Sequence, residues 1–86
     1  MIAFDFTVKD RDGIHARPAG SIIKAASTVK SDVCILFKER KISLKGGIFA
    51  LLGLGIRCGE QFKVTVSGED EKEAAAIMQR TLDENL

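Results

Sequence analysis

Between Ile2 and Val29 the apolar side chains of this chain change their period from two to between three and four, which restricts it to folds in which a helix packs on a sheet. Ile2, Phe4, Phe6 and Val8 alternate with Ala3, Asp5, Thr7 and Lys9, the pattern of a strand with one buried and one wet face. Asp10-Arg11-Asp12-Gly13 then interrupts with residues suited to turns and to positive φ. From Pro18 onwards Ala19, Ile22, Ile23, Ala26 and Val29 recur at helical spacing. Proline is favoured in a first helical turn because the N–H it lacks has no partner there.

The same reading continues to the last residues. Val33 to Phe37 and Ile42 to Leu44 are strand-like runs joined by the charged connection Lys38-Glu39-Arg40-Lys41. Gly47 to Leu54 is apolar on nearly every side, and its periodicity fits a buried strand or a short helix equally well. Phe62, Val64 and Val66 alternate with polar neighbours and form a fourth strand after the Gly59-Glu60 turn. Glu69, Asp70, Glu71 and Glu73 suit the positive start of a final helix, whose apolar face is Ala74, Ile77, Met78 and Leu82. Helices on one face of an antiparallel sheet bury every one of these stripes at once, so the expectation is an α+β open-faced sandwich formed by residues 1–86 as one domain.

Charge and cysteine usage remove several function classes. Thirteen basic and 12 acidic residues leave a net charge of +1, with no basic footprint for nucleic acid. The longest apolar stretch, Gly46 to Ile56, is far short of the roughly 20 residues that span a bilayer, so no membrane insertion is expected. No charged start, apolar run and small-residue cleavage site follows Met1, and a cytoplasmic location is the expectation. Cys34 and Cys58 have no metal-ligand spacing and only one histidine to assist them, so neither a metal nor a cofactor is expected. Cys34 reads as a small buried residue in a strand, and Cys58 as a turn residue.

His15 is the only histidine, and it stands between a turn and a helix start. Taken alone, such a residue is most often a solvated loop side chain. Its neighbours change that reading. The backbone donors from Ala16 onwards lie at the unsatisfied, positive end of the helix, and Arg17 adds a planar guanidinium that can fork onto phosphate oxygens. A nucleophile and a cradle for an anion thus fall within three residues, the pattern needed to carry a phosphoryl group on imidazole. No nucleotide-cradling loop or second general base accompanies it, so the chain reads as a carrier and not as an enzyme.

The run Gly13-Ile14-His15-Ala16-Arg17-Pro18-Ala19 resembles the active-site signature of the HPr family, the histidine-containing phosphocarriers of the bacterial phosphoenolpyruvate-dependent sugar phosphotransferase system. The resemblance extends over essentially the whole chain, including Leu44-Lys45 and Leu54-Gly55, and implies that Gly47 to Leu54 contains a short helix. It implies further that enzyme I phosphorylates His15, that Arg17 and the backbone at Ala16 hold the phosphoryl group, and that an enzyme IIA protein receives it. Gly20, Lys24 and Ser27 on the first helix, with Ile48, Phe49 and Leu52 on the short one, match the family's partner-docking patch. A monomer is the corresponding expectation.

One departure stands out. Gram-positive members carry a regulatory serine directly after the lysine matched by Lys45, whereas this chain reads Lys45-Gly46-Gly47-Ile48, with one extra residue and no hydroxyl. Ser43 is nearby but falls in a strand. The missing serine keeps two alternatives in view: a specialised carrier of a nitrogen-related or dihydroxyacetone branch, and a regulatory module that binds a partner without onward transfer.

Overall fold

The computed structural model describes all of residues 1–86. The elements are β1 (Ile2–Thr7), α1 (Ala16–Ser27), β2 (Asp32–Phe37), β3 (Arg40–Ser43), a 3-10 turn (Leu44–Gly46), α2 (Ile48–Leu52), β4 (Gln61–Ser67) and α3 (Glu71–Asn85). The four strands form one antiparallel sheet in the order β1-β4-β2-β3, so the last strand inserts between the first two. The three helices lie on one face, giving the expected open-faced α+β architecture.

Alternation explains which way each strand faces. Phe6, Phe62, Val64, Val66, Val33 and Ile35 point into a core shared with Ile22 and Ala26 of α1, Leu51 of α2, and Met78 and Leu82 of α3. Phe6 lies directly opposite Phe62 in the β1–β4 register, with ring centroids 5.7 Å apart. Each large side chain removed from water in this way stabilises the fold by roughly 1.5–3 kcal/mol.

The first helix begins at Ala16, beside His15 as expected, with His15 as its N-cap. Strand limits differ from the sequence reading. The third strand is Arg40–Ser43 and not Ile42–Leu44, because Phe37 pairs with Arg40 and shortens the connection to Lys38-Glu39. Lys38 takes a positive φ of 56° to close that two-residue loop. The apolar run after Gly47 resolves into α2, whose entry bends at a Gly47 φ of 105°, a conformation essentially limited to glycine. Asp70 precedes α3, but its side chain does not cap that helix. It accepts the N–H groups of Lys30 and Ser31, both at 2.9 Å, and the Ser31 hydroxyl, tying the start of α3 to the turn that precedes β2.

Candidate functional site

The loop that presents His15 is held from three directions. Within it, the Asp10 carboxylate accepts the N–H of Asp12 at 2.8 Å and the Asp10 carbonyl accepts that of Gly13 at 3.0 Å. Toward the neighbouring loop, the N–H of Ile14 donates to the Ile56 carbonyl at 3.0 Å, and the Ile14 side chain is buried. Toward the end of α3, the N–H groups of Lys9 and Asp10 donate to a Leu86 backbone oxygen at 2.7 and 2.6 Å. A short surface loop is thereby anchored at both shoulders, leaving the His15 side chain half-buried between them.

His15 itself is extended, with φ −119° and ψ −173°, and its side chain makes no capping hydrogen bond. Its carbonyl accepts the N–H of Ala19 at 3.0 Å, the first bond of the helical ladder. The N–H groups of Ala16 and Arg17 precede that bond and have no helical acceptor, and Pro18 has no N–H to satisfy. No acidic side chain occupies the first turn of α1. Arg17 is exposed and forms no ion pair.

An open cleft of about 270 Å³ lies over these groups, lined by Asp10, Asp12, His15, Arg17, Pro18, Glu84 and Asn85. The sequence reading found His15, Ala16, Arg17 and Pro18 but took Asp10 and Asp12 only as turn residues, and did not bring Glu84 and Asn85 to the site. Proximity along the chain was an available signal for the aspartates. None exists for Glu84 and Asn85, which arrive only when α3 packs beside α1. Donor atoms of Asp10, Asp12 and His15 lie within 4.8 Å of one another. Three donors on an open rim fall short of the four of a closed zinc site.

The second set of residues lies along α1 and α2, which pack against each other. Gly20 is half-buried, while Lys24 and Ser27 are exposed, the Ser27 hydroxyl donating to the Lys24 carbonyl. On α2, Leu51 is fully buried, Ile48 and Leu52 are half-buried against the core, and Phe49 is 84% exposed. Few large apolar side chains on this molecule are so open, and a five-residue helix with apolar residues all round has no way to bury every one.

Ser43 is the hydroxyl nearest in sequence to the Gly46-Gly47 departure. It donates to the Asp32 carboxylate at 2.9 Å and accepts the N–H of Lys45 at 3.2 Å, so a phosphoryl group there would meet a carboxylate. Cys34 is buried, and desolvation, aided by Asp32, raises its thiol pKa. Cys58 is exposed, as expected of a turn residue.

Residues 2–84 match the family described as the PTS HPr component phosphorylation site. The phosphocarrier protein HPr of Lysinibacillus sphaericus is 38% identical over 79 residues, covering 92% of this chain and 89% of that protein. The HPr of Mycoplasma genitalium is 34% identical over 85 residues, covering 99% and 97%. Among solved structures, an HPr from Thermoanaerobacter tengcongensis superposes with a TM-score of 0.91 at 27% identity, covering 99% of this chain and 94% of the other.

Proposed function

Since this chain belongs to the HPr family of phosphocarriers in the phosphotransferase system, we propose that His15 takes a phosphoryl group from phosphorylated enzyme I and passes it to an enzyme IIA protein. The observation that carries this reading is the pair of unpaired N–H groups on the exposed residues Ala16 and Arg17, immediately following an imidazole that makes no capping bond at the start of α1. A neutral ring nitrogen attacks phosphorus, the N–P bond forms, and the donor's bond to phosphorus breaks with its electron pair returning to the donor. The phosphoryl oxygens then accept the Ala16 and Arg17 N–H groups at the positive end of the helix, and the Arg17 guanidinium forks onto them. Transfer onward is the same exchange with a new acceptor.

Docking to both partners uses one surface in this reading. Phe49 is the anchor, Ile48 and Leu52 form its apolar base, and Gly20, Lys24 and Ser27 flank it from α1. A protruding aromatic residue ringed by partly buried aliphatic ones is the arrangement from which binding hot spots are made. The carrier works in the cytoplasm as a monomer, so that each partner in turn has access to the face.

Intact-mass measurement after incubation with phosphoenolpyruvate and enzyme I tests this directly. The expected result is a gain of one phosphoryl group, its loss on adding an enzyme IIA protein, and no gain by His15→Ala. Retention of the acid-labile group by His15→Ala would overturn the assignment of the site. Failure to unload onto any enzyme IIA protein would favour a regulatory module instead.

A further inference from the structure

The cleft over His15 is acidic although the chain as a whole stands at +1. Asp10, Asp12 and Glu84 line it, and the guanidinium of Arg17 is the only cationic side chain opposite them. An oxygen of Asp10 and one of Asp12 lie within 4.8 Å of a His15 ring nitrogen, yet neither carboxylate is paired with His15 or Arg17. They are close enough to act through space and lack the contact that would neutralise them. Asp10 is also held in place. Its carboxylate accepts the Asp12 N–H, its carbonyl accepts the Gly13 N–H, and its own N–H donates to Leu86.

We infer that Asp10 and Asp12 act on phosphorylated His15 by raising the energy of the N–P bond, so that the phosphoryl group is readily released. This rests on the proposed phosphorylation of His15. A phosphoryl group on the ring brings a dianion up to two nearby carboxylates, that of Asp10 held in place, and like charges at that range raise the energy of the loaded state. In release, the N–P bond breaks, its electron pair returns to the imidazole nitrogen, and phosphorus bonds to the incoming nucleophile. With water as acceptor, one proton stays on the new P–OH and the other goes to the imidazole, giving neutral histidine and hydrogen phosphate. A loose transition state spreads and partly removes charge from the phosphoryl oxygens, so the repulsion weakens along the path. Arg17 and the Ala16 and Arg17 amides orient the group, and the aspartates limit how firmly it is kept.

The test uses the whole protein with Asp10→Asn, Asp12→Asn and the double substitution, each keeping the shape and, at position 10, the oxygen that accepts from residue 12. Samples are loaded with phosphoenolpyruvate and enzyme I at a fixed ratio of phosphoenolpyruvate to pyruvate. The loaded fraction at equilibrium, and the decay after enzyme I is removed, are read by intact mass at low and high salt. The expected result is a larger loaded fraction and a decay slowed by about three- to tenfold in the double variant at low salt, a difference that shrinks as salt screens the charges. Asp12→Glu retains the charge and should decay nearly as the parent does. A double variant that loads and decays like the parent at low salt overturns the inference while leaving the assignment of His15 intact. A parent protein that never loads overturns that assignment instead.

Discussion

The α-carbon of Gly13 is pressed against the backbone of Ile56: a β-carbon at position 13 would lie 2.6 Å from the Ile56 carbonyl oxygen, the oxygen that accepts the N–H of Ile14. Gly13 also takes a φ of +67°, disfavoured for any residue with a β-carbon. Gly13→Ala is therefore expected to destabilise the fold by about 2 kcal/mol or more. It should also shift the loop carrying His15, since the clash falls on backbone and no flexible side chain can yield. Urea unfolding gives the first effect, and the rate of phosphoryl loading gives the second.

Arg17 is exposed and unpaired, so its replacement should leave stability within about 0.5 kcal/mol. Its contribution in the proposed role is a charge-assisted fork worth about 1.5–3 kcal/mol, which translates into a roughly ten- to hundredfold slower transfer for Arg17→Ala. Arg17→Lys restores charge without the planar fork and should recover only part of the rate. Stopped transfer assays with enzyme I, paired with a thermal melt, separate the two effects.

Phe49 and Leu51 are two residues apart on the same short helix and should behave oppositely. Phe49→Ala removes a side chain that is 84% exposed, so stability should change by about 0.5 kcal/mol or less, while partner affinity falls about tenfold or more. Leu51→Ala empties a fully buried position and should cost about 2–5 kcal/mol. Equal stability losses in urea unfolding would contradict the assignment of Phe49 to the surface. Unaltered binding of Phe49→Ala to enzyme I in calorimetry would contradict its role as an anchor.

Asp70 is held at a pKa of about 2, chiefly by the Ser31 hydroxyl and then by the Lys30 N–H. Because the folded value lies below that of the unfolded chain, the stabilisation is complete above the ordinary carboxylate range. It is lost as pH falls through the window from about 4 to about 2. The urea midpoint of the parent protein should fall across that window more steeply than that of Asp70→Asn. Parallel pH profiles would show that the Asp70–Ser31 contact adds nothing.

Where the structure agreed with the sequence, the signal was local. The alternation at Ile2, Phe4 and Phe6 and the helical spacing of Ala19, Ile22 and Ala26 each depend on one element burying one face, so neighbours along the chain suffice. The His15-Ala16-Arg17-Pro18 segment was legible for the same reason, since a helix start carries its own unpaired amides. Strand ends were less so. Leu44 left the third strand for a 3-10 turn, and Arg40 joined that strand, because pairing with Phe37 rather than propensity set the limits.

The chain's own pattern thus established the kinds and order of the elements, except over Gly47 to Leu54, where strand and helix periods fit alike, and placed the imidazole beside its amides. Packing alone put β4 between β1 and β2, brought Glu84 and Asn85 across to the cleft, and set Gly13 on Ile56. Those outcomes join residues far apart in sequence, and such contacts depend on how whole faces fit together in three dimensions, which no local period encodes.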